Sequence, residues 1–394
     1  MRKLIALLLC LLLLPPAAMA EEEAELSMSD VMAGADPEVV FDTFIVIPEE
    51  VEDQAIEVEA TLKSFYEEDG SILITITAAG DFTVGGDSRE RGSIWEDELE
   101  KHGGDPNFAL RNIRSVLAED DLTIVNFEGT LTESTYVPPE KRENQFLFSA
   151  PPSYAAMLPA NSIEAVSLEN NHVLDHGQAV WDETKQHLTD AGVVWSGDGE
   201  LGVIEVKGIE IAMLSYLCID RYSKLWDTVP ADIAAAKEMY PIVIVSFHWG
   251  NEKEYAPTSN QIRMGRLAVD SGADLVLGHH SHRIQPIEYY NGVYICYSLG
   301  NFCFAGHNNP DDMSSFLFQT RFRIREVDGE RVVTNEGFRI IPYRISSRTN
   351  RNDFTPTLYT SESSKEAVIN TLKQNGRKLD YAVQEYPLEW PEEE

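Results

Sequence analysis

Short, β-branched apolar runs recur through this chain, and each ends within a few positions on a residue able to hold a cation or move a proton. Ile72–Ala78 runs into Gly80-Asp81. Leu122–Phe127 contains Asn126 and is followed by Glu128, and Ile163–Leu168 precedes Asn171 and His172. Ile242–Phe247 leads to His248, and Ala273–Leu277 leads to His279, His280 and His282. Runs of this length bounded by turn residues read as buried strands. Between them the pattern predicts helices over Phe108–Ala118, Gln178–Ala191, Ile233–Met239 and Ser259–Ser271, with a further strand at Val193–Trp195. Hairpins are expected at Val203–Tyr216, turning at Lys207-Gly208, and at Pro286–Tyr297, turning at Asn291-Gly292. Two more strands flank Asp328-Gly329, and a final helix covers Ala367–Leu379. Strands alternating with helices predict a layered α/β domain. In open sheets of that kind, ligands bind at the carboxyl ends of the strands. No period of 20–50 residues recurs, which excludes a solenoid.

The two ends of the chain stand apart from this pattern. Met1-Arg2-Lys3, the aliphatic stretch Leu4 to Leu14 and Ala18-Met19-Ala20 before Glu21 read as a secretory signal peptide over residues 1–20, which predicts an extracytoplasmic protein. An apolar run of about a dozen residues falls short of the roughly 20 that span a bilayer, so removal is preferred over a retained membrane anchor. Residues 21–70 carry 17 acidic side chains and one basic one, Lys63, and form an acidic leader or linker. The domain proper is expected over 71–345, followed at 346–394 by a polar segment, the C-terminal helix and an acidic tail. Across 394 residues, 66 Asp and Glu against 31 Lys and Arg give a net charge of −35. That balance excludes a sequence-independent grip on nucleic acid and favours a cation-dependent protein. Cys10 leaves with the signal peptide. Cys218, Cys296 and Cys303 then allow at most one disulfide, and their spacing does not resemble a zinc site.

The residues at the strand ends carry the chemistry. Asp81 and Glu128 each have a plain alternative role as turn or surface carboxylates. However, a carboxylate directly after an apolar run is costly to bury unless it finds a cation. In Asn170-Asn171-His172 followed by Asp175, a helix starting here would put Asn171 and Asp175 on one face and give His172 a carboxylate to orient it. His248-Trp249-Gly250 is followed by Glu252, and Gly278-His279-His280-Ser281-His282 packs three imidazoles into four positions. On an extended segment, His-x-His aims two rings to the same side. Gathered at one sheet edge, these donors predict a divalent cation, one ion or two, since a pair about 3.5–4 Å apart needs roughly this many ligands. Mixed oxygen and imidazole donors suit Mn, Fe or Zn better than Ca.

Gly80-Asp81, Asn126-Phe127-Glu128, Asn170-Asn171-His172 with Asp175, His248-Trp249-Gly250-x-Glu252, Gln261, Gly278-His279-His280-Ser281-His282 and Tyr297-Ser298-Leu299-Gly300-Asn301-Phe302 occur in the order found in the CapA family. These are poly-γ-glutamate capsule biosynthesis proteins, also called PgsA, whose domain is similar to a calcineurin-like metallophosphoesterase. The resemblance covers roughly residues 72–306, about 60% of the chain. It implies a four-layer α/β/β/α sandwich of the metallophosphoesterase type, with Asp81, Glu128, Asn171, His248, His280 and His282 as metal ligands. His280 is preferred to His279 because it forms His-x-His with His282. The resemblance also implies that His172, with Asp175 beside it, protonates a leaving group or steadies phosphoryl oxygens, and that Glu252 and Asn301 line the substrate rim. Two departures bear on activity: Thr83 stands where such enzymes carry the histidine of Asp-x-His, and Asn126-x-Glu128 replaces an aspartate motif. The implied function is a secreted protein with a metal-dependent hydrolase-type site, serving synthesis, release or anchoring of poly-γ-glutamate or a similar anionic polymer alongside membrane polymer-synthase subunits. The alternatives are a general extracytoplasmic phosphoesterase acting on small phosphoesters and a non-catalytic, metal-containing polymer-binding or assembly subunit.

Overall fold

The computed structural model describes residues 65–89, 94–139, 145–219 and 222–391; the signal peptide and nearly all of the acidic leader lie outside the described residues. The strands are β1 (Ile72–Thr83), β2 (Leu122–Phe127), β3 (Thr130–Leu131), β4 (Ser149–Ala150), β5 (Ala165–Ser167), β6 (Val194–Ser196), β7 (Gly202–Val206) and β8 (Ile209–Cys218). They continue as β9 (Ile242–Trp249), β10 (Leu275–His279), β11 (Ile284–Tyr290), β12 (Val293–Leu299), β13 (Asn301–Phe304), β14 (Ser314–Val327), β15 (Glu330–Arg344) and β16 (Thr357–Leu358). The longer helices are α1 (Ile94–Lys101), α2 (Gln178–Asp190), α3 (Tyr222–Met239), α4 (Ser259–Asp270) and α5 (Glu362–Gly376).

Two sheets result. The first runs β16-β15-β14-β1-β2-β5-β6 with β13 also paired to β1, and the second runs β11-β12-β10-β9-β8-β7. In the first, β1, β2, β5 and β6 are parallel; in the second, β8, β9, β10 and β12 are parallel. An apolar layer including Ile74, Ile76, Ile124, Ile211, Ile244, Leu277, Phe318 and Ile340 fills the space between the sheets. Trp95, Phe108, Leu117, Trp181 and Leu188 cover the outer face of the first sheet, and Val229, Ile233, Met264 and Ala268 cover that of the second. This is the expected α/β/β/α sandwich. Each large side chain removed from water in these layers contributes about 1.5–3 kcal/mol. The arrangement holds the carboxyl ends of β1, β2 and β5 against those of β9 and β10.

Local differences from the expected elements have physical causes. Phe108–Ala118 is not one helix. It is a 3₁₀ turn at Pro106–Leu110 and a short helix at Arg114–Leu117. Phe108, Ala109 and Leu110 are all buried, and three consecutive residues cannot share one apolar stripe of an α-helix. Residues 171–176 form successive turns rather than a helix, and α2 begins only after Gly177, whose φ of 88° breaks the run. Strands β9 and β10 extend beyond their apolar runs, so that His248 and His279 lie within the ladder, paired with each other. The C-terminal polar segment turns inward: Asn352 and Phe354 are buried, with Asn352 Nδ2 donating to the carbonyls of Phe304 (2.7 Å) and His307 (3.1 Å). Helix α5 packs on β11, β14 and β15. The tail after it bonds to both sheets, Val383 N to Ile287 O at 3.0 Å and Ile340 N to Pro387 O at 2.8 Å. Cys218, Cys296 and Cys303 are buried free thiols.

Candidate metal centre

The carboxyl edge of the first sheet supplies oxygen. Asp81 sits in β1 where the strand passes very close to the loop before β13. There Asp81 N donates to Gly300 O at 2.9 Å, and a side chain at Gly80 would bring a Cβ to 2.0 Å from that same oxygen. Asp81 Oδ1 accepts from Asn126 Nδ2 at 2.8 Å, and Oδ2 lies 3.2 Å from His282 Nδ1. One residue beyond β2, Glu128 is fully buried, and neither carboxylate oxygen has a hydrogen-bond partner among the described residues. Its Oε1 is 3.8 Å from His248 Nε2 and 3.9 Å from His172 Nε2. The turn after β5 is pinned by Asn170, whose Nδ2 donates to Phe127 O at 2.8 Å and whose Oδ1 accepts from His172 N at 3.0 Å.

The second sheet supplies nitrogen. His248 Nε2 donates to Asn171 Oδ1 at 2.6 Å, and the rings of His248 and His280 are 4.7 Å apart. His282 Nδ1 is also 2.9 Å from Asn301 Oδ1. The His280–His282 segment is not extended: both residues have positive φ, 89° and 51°, and their rings lie 6.1 Å apart. The local backbone, rather than strand alternation, turns both imidazoles inward. His172 Nδ1 donates to Asp175 Oδ2 at 2.7 Å, and the same oxygen accepts from Phe148 N at 2.7 Å. A carboxylate only accepts, so the bond fixes the Nδ1–H of His172 and leaves Nε2 facing Glu128. Phe148 stacks on His172 at 4.2 Å, Phe304 lies against His282 at 4.7 Å, and the two phenyl rings meet edge-on at 6.2 Å, walling one side of the centre.

The electrostatics follow from burial. It pushes Glu128 well above the usual carboxylate range, with the charge of Asp81 adding to the effect. It opposes charge on Asp81 too, but the bond and charge of His282 hold that carboxyl below its ordinary value. Burial holds His279 and His280 down to about 4, and with neighbouring imidazoles it takes His248 well below the usual range. For His282 burial is overcome by Glu128, Asp81 and Asn301, and the ring is pushed up to about 9.

The donor set fits a divalent cation. Ligand atoms of Asp81, Glu128 and His282 lie within 4.8 Å of one another. The oxygens of Glu128 have no hydrogen-bond partner among the described residues, and Oε1 lies 3.8 Å and 3.9 Å from ring nitrogens of His248 and His172, an environment in which a buried carboxylate is stabilised by a cation. His248 adjoins Glu128 at 3.8 Å and in turn touches Asn171 and His280, so these three donors extend the triad. Glu252 is exposed on the loop after β9, near enough for its charge to act on Glu128 and His280, but it does not join the cluster. Asn301 is buried under His282 rather than open at the rim. Asn126, singled out in the sequence beside Glu128, proves to be the amide that fixes Asp81, whereas Phe148 gave no sequence signal, since it comes from a loop with no pattern of its own.

Residues 75–306 match the family described as "Bacterial capsule synthesis protein PGA_cap". The chain is 30% identical over 234 residues to "PGA biosynthesis protein CapA" of Bacillus subtilis, covering 54% of this chain and 60% of that relative. It is 25% identical over 256 residues to "Capsule biosynthesis protein CapA" of Bacillus anthracis, covering 59% and 60%. It is 28% identical over 211 residues to a "Probable polyglutamine synthesis accessory protein" of Mycobacterium tuberculosis, covering 46% and 55%. The matched stretch thus spans about 60% of the length of the two Bacillus proteins.

Proposed function

From the premise that this chain belongs to the bacterial capsule synthesis family PGA_cap, we propose that it acts outside the cytoplasm in making, releasing or anchoring poly-γ-glutamate or a similar anionic polymer, through a hydrolase-type centre that holds a divalent cation. The observation that carries the proposal is Glu128: it is fully buried, neither oxygen has a hydrogen-bond partner among the described residues, and it is ringed by Asp81, His172, His248 and His282. Asp81, Glu128 and His282 would hold one ion, and Asn171, His248 and His280 extend the donor set for a second. When bound, such an ion supplies Lewis-acid polarisation of the oxygen at the scissile bond.

The chain's own residues account for the rest. Asp175 fixes the Nδ1–H tautomer of His172, so that Nε2 turns its lone pair toward the carboxylates, where it can take a proton from an attacking water and pass that same proton to the departing group. Asn301 and Asn126 keep His282 and Asp81 in place. The aromatic wall of Phe148 and Phe304 keeps water off one side of both imidazoles. Membrane synthase subunits are the proposed partners. A second reading is a general phosphoesterase, which the His172–Asp175 pair serves equally, whereas a site that only held polymer would have no need of a tautomer-fixed imidazole.

The test is to load the purified chain with Mn(II) or Zn(II) and follow poly-γ-glutamate chain length by gel filtration, alongside release of phosphate from small phosphoesters. Polymer shortening that is lost in His172→Ala supports the main reading. Turnover of phosphoesters alone supports the second. Metal uptake with neither reaction leaves the non-catalytic, polymer-binding alternative.

A further inference from the structure

His279 is not in the ligand cluster, yet it is among the least satisfied side chains of the fold. It is 1% exposed, at the end of β10, and neither ring nitrogen has a hydrogen-bond partner among the described residues. A neutral imidazole always carries one N–H, and leaving that group unmade in a dry interior costs about 1–3 kcal/mol. An apolar residue of the same size would avoid that cost.

The location suggests what offsets it. His279 pairs in register with His248 on the neighbouring parallel strand. Its Nδ1 comes to 3.7 Å from Asp81 Oδ1, across the gap between the two sheets. That oxygen already accepts from Asn126, while Oδ2 faces His282 Nδ1 and the backbone N of His280, the latter at 3.4 Å. Thus every donor around Asp81 except Asn126 comes from the opposite sheet. His279 remains outside the set whose ligand atoms lie within 4.8 Å of one another, so it does not share an ion with Asp81, Glu128 and His282 as they stand.

We propose that His279 is a positioning residue for the metal centre: from the facing sheet, its Nδ1, 3.7 Å from Asp81 Oδ1, closes to a hydrogen bond when a divalent cation seats on Asp81, Glu128 and His282, and so sets the orientation of the Asp81 carboxylate. This rests on the reading of those three residues as a cation site. Groups that hydrogen-bond to a metal ligand in this way commonly change metal affinity by about 10–100-fold when removed.

The experiment uses the full chain, stripped with EDTA and titrated with Mn(II) by calorimetry, with free Mn(II) followed by electron paramagnetic resonance. The variants are His279→Leu and His279→Met, which fill the space without a donor, and His279→Gln, which restores one. The expected result is a Kd for Mn(II) raised about 10–100-fold in the Leu and Met variants and largely recovered in the Gln variant. Melting temperatures in EDTA should be equal to or above wild type, because an orphaned polar group has gone. A packing role alone predicts the reverse, with lower melting temperatures in EDTA and unchanged Mn(II) affinity. The inference is overturned if the Leu and Met variants bind Mn(II) as wild type does, or if Gln fails to restore what they lose. Should wild type itself take up no Mn(II), the cation-site reading fails and His279 loses its role with it. The wild-type titration therefore tests that reading, and the difference among variants tests the inference.

Discussion

Replacing Glu128 by Gln separates what the centre costs the fold from what a cation returns. In the wild-type chain Glu128 is wholly buried beside Asp81, with no hydrogen-bond partner for either oxygen, and burial drives its carboxyl well above the ordinary range. Each unit of such a shift corresponds to about 1.36 kcal/mol of strain on the charged form. Gln keeps the shape and removes the charge. In EDTA at neutral pH the variant should therefore be more stable than wild type, by about 1–3 kcal/mol given that a buried unpaired ion costs several. For a chain of this size that is a rise in melting temperature of roughly 1–4 °C. With Mn(II) at about 1,000 times its dissociation constant, wild type should gain about 4.1 kcal/mol. The variant should gain almost nothing, because an amide is a poor substitute for the ligating carboxylate. Thermal unfolding by circular dichroism, with EDTA and with Mn(II), reads both effects, and the two curves should change order between the conditions. A Gln variant that melts lower than wild type in EDTA, together with a wild type indifferent to Mn(II), would refute the assignment of Glu128 as a cation ligand.

Three further outcomes are expected. Asp175→Asn should leave Mn(II) affinity unchanged while lowering any hydrolytic turnover by about 10²–10⁴-fold, because the fixed His172 tautomer is lost; equal activity of the two proteins would remove His172 from the proton path. Asp120 lies at the opposite end of β2 from the centre, and burial, against bonds from Thr77 and Thr123, pushes its carboxyl up to about 7. The folded chain then holds that proton longer than the unfolded one, so stability falls as pH rises from near 4 to near 7 and levels off above. Asp120→Asn should abolish this slope and add roughly 2–4 kcal/mol at pH 8, measured by urea midpoints at pH 5 and pH 8; an unchanged slope rules Asp120 out as its source. Finally, the chain carries −35, so poly-γ-glutamate binding should strengthen with millimolar divalent cation and with moderate NaCl, which screens repulsion. An affinity that falls steeply with NaCl would point instead to a basic groove.

The parts of the site that were legible in the sequence were those where chemistry interrupts hydrophobic pattern. Asp81 and Glu128 stand out because a carboxylate at the end of an apolar run has no ordinary reason to be there, and β2 begins and ends where its apolar run does. His248 and His279 were located correctly but placed just outside their strands. Backbone pairing continues up to the donor cluster regardless of side-chain polarity, and the ladder joins those two residues directly. His172 found its carboxylate without the helix that sequence spacing invoked, because a turn bond, Asp175 N to His172 O at 3.2 Å, brings positions three apart together as well. Phe148 could not be read at all. Its role depends on a loop folding back on the turn after β5, where Asp175 captures its backbone N–H, and no periodicity records that contact. The segment after residue 345 reads as polar, but its amides serve to satisfy carbonyls inside the fold, as Asn352 does.

What pattern alone could not reveal is the division of labour between the sheets. Asp81, Asn126, Glu128 and Asn171 come from the first sheet and the turns that leave it, whereas His248, His279, His280 and His282 come from the second or from the loop after β10. Oxygen and nitrogen donors are thus brought together only by the packing of Ile74, Ile76 and Ile124 against Ile211, Ile244 and Leu277. Before that packing forms, the first sheet carries two carboxylates side by side and the second a cluster of imidazoles, each self-repelling when charged. Closing the layer buries both groups and leaves Glu128 without a partner. A cation held between them would tie one sheet to the other, so its binding energy would also be energy of the sheet–sheet interface. The same logic explains why Asn126 and Asn171 suit positions beside the carboxylates. An amide orients Asp81 and His248 without adding negative charge to a pocket that already holds two acids. Burial keeps His248, His279 and His280 neutral, whereas His282, pushed up to about 9, offsets one carboxylate as an imidazolium; a dication that displaced its proton would come close to balancing the charge of Asp81 and Glu128.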